Sequence, residues 1–252
     1  MIKVENLTKA FGPKVAVNRI SFSVERGEVL GFLGPNGAGK STSMRMITGF
    51  IPPTEGKITV GGHDMVENPI PAKALIGYLP ENAPAYSDMT VYGFLNFAAE
   101  LRGLRGDDKK KAVNRAVEMC FLDSVIHQSI DTLSKGFRHR TCFAQSVIHD
   151  PQILILDEPS TGLDAESTDL VLQALRKLMK DKTTIIISHE LNLIRNADQI
   201  IVIKEGQIEQ IGTHDELIRA GGLYANLYIM QSGQRALDDN ALPVSETADS
   251  KM

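Results

Sequence analysis

A glycine-rich stretch followed by a lysine and a serine offers the clearest chemistry in the sequence. Residues 34–41 fit the pattern GxxxxGK[ST] and follow an apolar run at residues 29–33. In this pattern small residues let the backbone curl so that successive N–H groups face phosphate oxygens, while Lys40 adds a mobile charge and the Ser41 hydroxyl suits Mg²⁺. The stretch therefore predicts a loop that binds nucleotide phosphates. The residues expected to contact the nucleotide are Gly34, Pro35, Asn36, Gly37, Ala38, Gly39, Lys40, Ser41 and Thr42.

Two adjacent carboxylates follow a second apolar run, at residues 153–156. A buried strand that ends in Asp157 would present this carboxylate beside the phosphate loop, where it can hold Mg²⁺ or a water of its shell. Glu158, one residue further, would point the other way and could orient or deprotonate an attacking water. The pair predicts the hydrolytic end of a nucleotide site, and the alternative is a strand that simply runs into a polar turn.

A histidine follows the third apolar run, at residues 184–187. Ligands gather at the carboxyl ends of strands in open α/β sheets, so His189 would be placed to contact a γ-phosphate. A single histidine at such a point is also compatible with a polar residue at the start of a helix. The phosphate loop upstream favours the catalytic interpretation.

The surrounding pattern predicts an α/β fold with a parallel sheet. Short apolar, β-branched runs alternate with helical patterns after residue 150, and this rhythm is typical of a sheet covered on both faces. The first thirty residues alternate apolar stretches with turns and indicate an antiparallel β layer. Residues 85–150 carry apolar residues at helical spacing and predict a helical insertion, with Thr90 and Asp107 as N-caps.

Composition limits the class of protein. The chain has 252 residues and a formal net charge of −4, so it offers no general basic surface and we expect no nucleic-acid partner. Two isolated cysteines predict free buried thiols rather than disulfides or a zinc site. Charges near the N-terminus argue against a secretory signal, and no apolar run approaches the ~18 residues that cross a bilayer. Residues 233–252 are polar and acidic and predict a disordered tail after a domain at residues 1–232.

Taken together, these motifs resemble the nucleotide-binding subunit of an ABC transporter over residues 1 to about 230. The family's order is matched by the phosphate loop, the stretch 133–137, the Asp157–Glu158 pair, the stretch 162–164 and His189. The resemblance implies a P-loop NTPase core of the ABC ATPase type, with ATP and Mg²⁺ as ligands.

The resemblance also implies roles that the residues alone do not reveal. Phe11 stands where an aromatic ring stacks on adenine; stacking tolerates other bases, so ATP is expected and GTP use stays open. Ser134 and Gly136 would reach the γ-phosphate held by a facing subunit, and Asp164 would link the two sites. ATP would then join two subunits, and its hydrolysis would let them part.

Two positions depart from the family pattern. The stretch 133–137 reads Leu-Ser-Lys-Gly-Phe where relatives usually have Leu-Ser-Gly-Gly-Gln, so Lys135 and Phe137 change the positions that flank Ser134 and Gly136. Glu81 stands where many relatives carry Gln, which would add a carboxylate to the ligands of Mg²⁺. Some export-type branches are similar at Glu81, and this favours an exporter.

These features predict an ATPase subunit on the cytoplasmic face of a membrane, coupled to one or more transmembrane permease subunits. Its mate would be a second copy or a paralogue. The alternatives are a soluble ABC-type ATPase acting on ribosomes or DNA, and a nucleotide-sensing regulator without turnover. Tyr86, Met89 and Phe94 are expected either to edge a groove that docks a partner's helix or to pack in the core.

Overall fold

The computed structural model describes the backbone of residues 1–239 and the side chains of residues 1–231. A six-stranded sheet forms its centre, and four of its five strand pairs are parallel; only the β9–β10 pair at one edge is antiparallel. The strands, in spatial order, are β10 (Gln207–Gly212), β9 (Gln199–Lys204), β3 (Val29–Leu33), β8 (Thr183–Ile187), β7 (Ile153–Asp157) and β6 (Ile76–Leu79). The predicted parallel sheet is confirmed.

A second, antiparallel sheet covers one side of the molecule, as the first thirty residues predict. Its spatial order is β2 (Lys14–Val24), β1 (Ile2–Phe11), β4 (Glu55–Val60) and β5 (His63–Asp64). A tight hairpin joins β1 to β2 with Phe11 opposite Lys14. The hairpin therefore holds the Phe11 side chain at the end of the sheet, where it is 52% exposed.

Strand β7 separates two apolar cores through the two-residue period of a strand. Ile153 and Ile155 belong to the core beneath the antiparallel sheet, while Leu154 and Leu156 belong to the core beneath the helices. Successive side chains of a strand point to opposite faces, so Asp157 continues the face of Ile153 and Ile155. Helix α1 (Lys40–Ile47), which follows the phosphate loop, packs in that same core.

The remaining helices lie in three groups. Between β4 and β6 is α2 (Pro69–Ala74), and between β6 and β7 are α3 (Val91–Leu101), α4 (Gly106–Met119) and α5 (Lys135–Val147). After β7 come α6 (Ala165–Met179), α7 (Leu191–Ile194), α8 (His214–Ala220) and α9 (Leu223–Asp239). In the part of the chain that is described, none of these helices combines the length and apolar character that a bilayer span requires.

Of the two helix N-caps predicted in the helical insertion, the structure has one. The Thr90 side chain caps α3 by accepting a hydrogen bond from the Gly93 N–H at 3.0 Å, as predicted. The prediction for Asp107 is wrong, because α4 begins at Gly106 and Arg105 occupies the N-cap. Asp107 lies in the first turn instead, where its carboxylate is favoured by the helix dipole.

Two other predictions concern the cysteines and the C-terminal boundary. Cys120 and Cys142 are buried free thiols, as predicted, and burial raises their pKa values to about 12 and about 11. The sequence predicts a disordered tail from residue 233, whereas the last helix continues to Asp239. The rest of that predicted tail, residues 240–252, lies outside the described residues.

Candidate active site

The phosphate loop runs from the end of β3 to the start of α1, and two of its glycines are required by close backbone contacts. A Cβ atom at Gly34 would lie 2.1 Å from the Ile203 carbonyl oxygen. Gly39 has a φ of +105°, and a Cβ atom there would lie 2.5 Å from the Ala16 carbonyl oxygen. The loop is therefore pressed against β9 and β2, and a side chain at either position would displace it.

Lys40 is the first residue of α1, and its side chain turns back across the loop. The residue is 8% exposed, and Nζ donates hydrogen bonds to the carbonyl oxygens of Gly34 at 2.6 Å and Pro35 at 3.1 Å. Burial lowers the pKa of Lys40, and the nearby carboxylates of Glu158, Asp157 and Glu81 oppose this shift. The ammonium group thus stands inside the curve of the loop, where a phosphate would meet it.

Asp157 closes the other side of the loop. Its side chain is 3% exposed, and burial, together with the charges of Glu158 and Glu81, raises its pKa to about 6. A hydrogen bond with Ser41 acts in the opposite direction. Within the described residues the buried Oδ1 atom of Asp157 has no hydrogen-bond partner. A buried carboxylate oxygen without a donor, beside a serine hydroxyl, suits a hard cation.

Glu158 and His189 form a pair at the carboxyl ends of β7 and β8. Glu158 has a φ of +52°, and its carboxylate accepts hydrogen bonds from the His189 backbone N–H at 3.1 and 3.2 Å. The Nδ1 atom of His189 lies 2.7 Å from Glu158 Oε2. The glutamate side chain is 12% exposed and the histidine side chain 57% exposed. The carboxylate is therefore held by the loop that follows β8, and the histidine ring remains open to a ligand.

These groups meet in one open cavity of about 610 Å³. It brings together eleven of the residues predicted from the sequence: Phe11, Asn36, Gly37, Gly39, Lys40, Ser41, Thr42, Glu81, Asp157, Glu158 and His189. Gly34, Pro35 and Ala38 belong to the loop but do not line this cavity. Lys14, Ala16 and Thr161 also line it, and the sequence reasoning missed them. Lys14 and Ala16 follow Phe11 closely in the sequence, and this closeness could have indicated that they line the cavity as well.

Ser134, Gly136 and Asp164 do not line the cavity and form a second cluster instead. Ser134 caps α5 by accepting a hydrogen bond from the Phe137 N–H at 3.3 Å. Asp164 caps α6 by accepting bonds from the Ser167 N–H and hydroxyl, both at 2.8 Å, and these bonds lower its pKa. Gly136 packs against Ser167, so the N-termini of the two helices lie side by side.

The three residues considered for a docking groove do not share one environment. Phe94 is 4% exposed and packs in the core, which resolves the two alternatives for this residue in favour of core packing. Met89 is half-buried against the same core. Tyr86 is 55% exposed, with its ring against Phe94 and Phe97 at centroid distances of 6.2 and 5.6 Å.

A separate groove of about 370 Å³ adjoins the cavity. Exposed Phe50, whose ring contacts Tyr78 at a centroid distance of 5.6 Å, stands at its edge. Ser41, Glu81 and Asp157 line both the groove and the cavity. The remaining lining residues are Arg45, Ile51, Pro80, Asn82 and Pro84.

The family model described as ABC transporter matches residues 17–161 of this chain. The linearmycin resistance ATP-binding protein LnrL of Bacillus subtilis is 36% identical over 225 residues, which cover 88% of this chain and 72% of that protein. The probable multidrug ABC transporter ATP-binding protein YbhF of Escherichia coli is 35% identical over 86% of this chain and 38% of its own length.

Solved structures share the fold over most of the chain. A bacterial Atm1-family ABC exporter with ATP bound superposes with a TM-score of 0.81 and 26% identity, covering 92% of this chain and 42% of the exporter. The ATP-binding subunit of an ABC transporter also has a TM-score of 0.81, at 24% identity, with 92% of this chain and 99% of that subunit covered. The second likeness concerns the fold alone.

Proposed function

This chain belongs to the ABC transporter family as an ATP-binding, ATP-hydrolysing subunit, and we propose that its ATP-driven pairing with a facing subunit powers a separate transmembrane partner. The facing subunit is a second copy of this chain or a paralogue. The observation that carries the proposal is the convergence of Lys40, Asp157, Glu158 and His189 on one cavity beside the phosphate loop.

In this proposal the loop binds the triphosphate and Phe11 stacks on the base. The backbone N–H groups of the loop and the N-terminus of α1 attract phosphate oxygens, and Lys40 supplies a positive charge at the β- and γ-phosphates. Phe11 is 52% exposed at the mouth of the same cavity, so an aromatic face is available to a base. An ABC exporter with ATP bound has the same fold, which supports ATP as the nucleotide.

We assign Mg²⁺ to Ser41, Asp157 and Glu81. The buried, unpartnered Oδ1 atom of Asp157 among the described residues and the adjacent Ser41 hydroxyl fit a cation that prefers oxygen ligands. Glu81 lines the same cavity and adds a further carboxylate. When bound, Mg²⁺ neutralises charge on the β- and γ-phosphate oxygens.

Glu158 is the proposed catalytic base, and His189 is proposed to contact the γ-phosphate. Glu158 lies at the edge of the cavity with a mostly buried carboxylate, so it can accept a proton from a water that attacks the terminal phosphorus. His189 holds both oxygens of this carboxylate through its backbone N–H. The same residue therefore orients the base and presents its ring towards the phosphate.

The surface around Ser134 is proposed to complete the site of the facing subunit. Ser134 and Gly136 stand at the N-terminus of α5, which favours an anion, yet they do not line the cavity of their own chain. Asp164 caps the neighbouring helix and would carry the state of one site to the other. ATP would thus be clasped between two subunits, and loss of its γ-phosphate would weaken both halves of the clasp.

The groove beside Phe50 is proposed as the docking site for a helix of the transmembrane partner on the cytoplasmic side. It has an exposed aromatic edge, and it shares Glu81 with the nucleotide cavity, so docking and nucleotide state can affect each other. Export is the favoured direction, because the relatives described above include a linearmycin resistance protein and a probable multidrug transporter.

Phosphate release by the purified protein tests the catalytic part of the proposal. Glu158→Gln should lower turnover by about 10²-fold or more while ATP binding is retained, because the amide cannot accept the proton of the water. Glu166→Gln, an exposed position on α6, is the matched control and should hydrolyse ATP at the wild-type rate. Wild-type turnover in Glu158→Gln would remove the role assigned to this residue.

Transport by membrane vesicles containing the complete complex tests the docking groove. Phe50→Asp should reduce transport, since a charge on the aromatic edge opposes an apolar contact, while the ATPase activity of the isolated subunit stays unchanged. Ile70→Asp is the control, because Ile70 is 82% exposed and does not line the groove. Equal transport by both variants and the wild type would reject the groove as a docking site.

A further inference from the structure

Helix α9 reaches the loop that carries His189 through one side chain, Gln231. The Gln231 Nε2 amide donates a hydrogen bond to the backbone carbonyl oxygen of His189. Its Oε1 atom accepts a hydrogen bond from the backbone N–H of Leu191 at 3.1 Å. Both functional groups of a single amide are therefore used on one short loop, on either side of Glu190.

The base of α9 is firmly attached to the rest of the molecule. Tyr224 is fully buried, its hydroxyl lies 2.7 Å from His214 Nδ1, and its backbone N–H donates to Gln210 Oε1 at 2.9 Å. Gln231 follows Tyr224 by seven residues, which is close to two helical turns and places both on one face. The buried and hydrogen-bonded Tyr224 therefore fixes the part of α9 that carries Gln231.

Besides the bonds to Gln231, the His189 loop makes hydrogen bonds to the proposed catalytic base, Glu158. The His189 backbone N–H and ring both bond to Glu158, and the Glu190 N–H bonds within the loop to Ser188 Oγ at 2.9 Å. The Glu190 carboxylate accepts a bond from the Ser160 hydroxyl at 3.0 Å. Among the described residues, these hydrogen bonds therefore tie His189 to Glu158, and Glu190 to Ser160, in the segment that follows β7.

Catalysis would draw on the groups that make those bonds. This step rests on the proposed function, in which Glu158 binds water and the His189 ring binds the γ-phosphate. In this structure His189 Nδ1 lies 2.7 Å from Glu158 Oε2, so the ring and the carboxylate are hydrogen-bonded to each other. When the ring and the carboxylate separate, the loop loses that hydrogen bond. The two bonds from the Gln231 side chain are made to backbone atoms of the loop, so they can persist.

We infer that Gln231 is a positioning residue that holds the backbone of the His189 loop while the histidine ring and Glu158 act on ATP and water. Gln231 does not line the ATP cavity, so it acts through His189 and not on the nucleotide. A small cavity of about 280 Å³ separates α9 from the phosphate loop and is lined by Gln231, Leu227, His189 and residues 33–36. Helix α9 thereby becomes part of the support of the active site.

The test uses the full-length chain with three substitutions. Gln231→Met keeps the length of the side chain and removes both hydrogen bonds. Gln231→Glu keeps the acceptor for the Leu191 N–H but has no hydrogen to donate to the His189 carbonyl oxygen, and sets like partial charges against each other. Asn226→Ala, at an exposed position on the same helix, is the matched control.

Two measurements separate positioning from general stability. In Gln231→Met, kcat for ATP should fall about tenfold, the change expected for loss of about 1.4 kcal/mol, and KM for ATP should change less than twofold. Amide hydrogen exchange of residues 188–194 should be faster than in the wild type in Gln231→Met, and at least as fast in Gln231→Glu, because its carboxylate repels the His189 carbonyl oxygen. Gln231→Glu should lose at least as much kcat, and Asn226→Ala should match the wild type in both measurements.

Each outcome bears on one claim. A kcat within twofold of the wild type in Gln231→Met, or unchanged exchange of residues 188–194, would overturn the inference about Gln231. An equal fall in kcat for Asn226→Ala would also overturn it, because the effect would then belong to the helix as a whole. Wild-type kcat in Glu158→Gln would instead contradict the proposed function, whatever the Gln231 variants do.

Discussion

Replacing Asp157 with Asn should stabilise the protein without nucleotide, because Asp157 holds a carboxylate where burial opposes its charge. Burial, with the charges of Glu158 and Glu81, raises the pKa of Asp157 from 3.8 to about 6. The folded state therefore binds this proton more tightly than the unfolded state. As the pH rises from about 4 to about 6, the unfolded chain ionises first, and the folded state loses stability relative to it.

The size of the effect follows from the two pKa values. The rise in the pKa of Asp157 from 3.8 to about 6 corresponds to roughly 3 kcal/mol at pH 8, where Asp157 is ionised in both states. At pH 5 the folded state is mostly protonated, and the effect falls to roughly half of its value at pH 8. For a domain of this length the effect at pH 8 corresponds to a rise in Tm of roughly 6–12 °C.

Urea denaturation at pH 8 and at pH 5, with EDTA and without nucleotide, measures this difference. Asp157→Asn should raise the free energy of unfolding at both pH values, and the gain should be about twice as large at pH 8. Asp169→Asn, at an exposed position on α6, should change the free energy by less than about 0.5 kcal/mol at either pH. The reasoning is refuted if Asp157→Asn gives no gain at pH 8, or the same gain at both pH values.

Two further substitutions test the contact between the N-termini of α5 and α6 and the stacking of Phe11 on the nucleotide base. Gly136→Ala would place a Cβ atom 2.1 Å from Ser167 Oγ, so the free energy of unfolding in urea should fall by about 1–3 kcal/mol, with part of the loss recovered by adding Ser167→Ala. A wild-type urea midpoint would contradict the tight contact between α5 and α6. Phe11→Ala should raise the Kd for ATP by about 5- to 150-fold, the range expected for loss of one stacked base, and Phe11→Tyr should not. If calorimetry gives Phe11→Ala the same affinity for ATP as the wild type, Phe11 does not stack on the base.

Much of the site was predictable because its groups stand at the ends of buried strands. Strands β3, β7 and β8 are short apolar runs in the sequence, and parallel strands bring their carboxyl ends to one edge of the sheet. Asp157, Glu158 and His189 follow two of these runs, and Gly34 follows the third. Knowledge of strand type alone therefore placed the carboxylates and the histidine near the phosphate loop.

Contacts between distant segments were not predictable in this way. Gln231 lies 42 residues from His189, and a single glutamine in a helix has no pattern that points to a partner. The helical spacing of Phe94 is the same whether its ring faces the core or a groove. Asp107 was a reasonable cap by residue type, but the start of α4 depends on how the chain leaves the turn before it, and the N-cap is Arg105, two residues earlier.

The mass of the Glu158→Gln protein in solution, measured by light scattering with ATP and Mg²⁺, tests the pairing of two subunits around ATP most directly. The subunit alone has a mass of 27.6 kDa. With ATP and Mg²⁺, alone or with an ATP-binding paralogue that copurifies with it, the variant should double in mass, and Ser134→Arg in the same protein should prevent this. A variant that stays monomeric in every one of these mixtures would contradict the account.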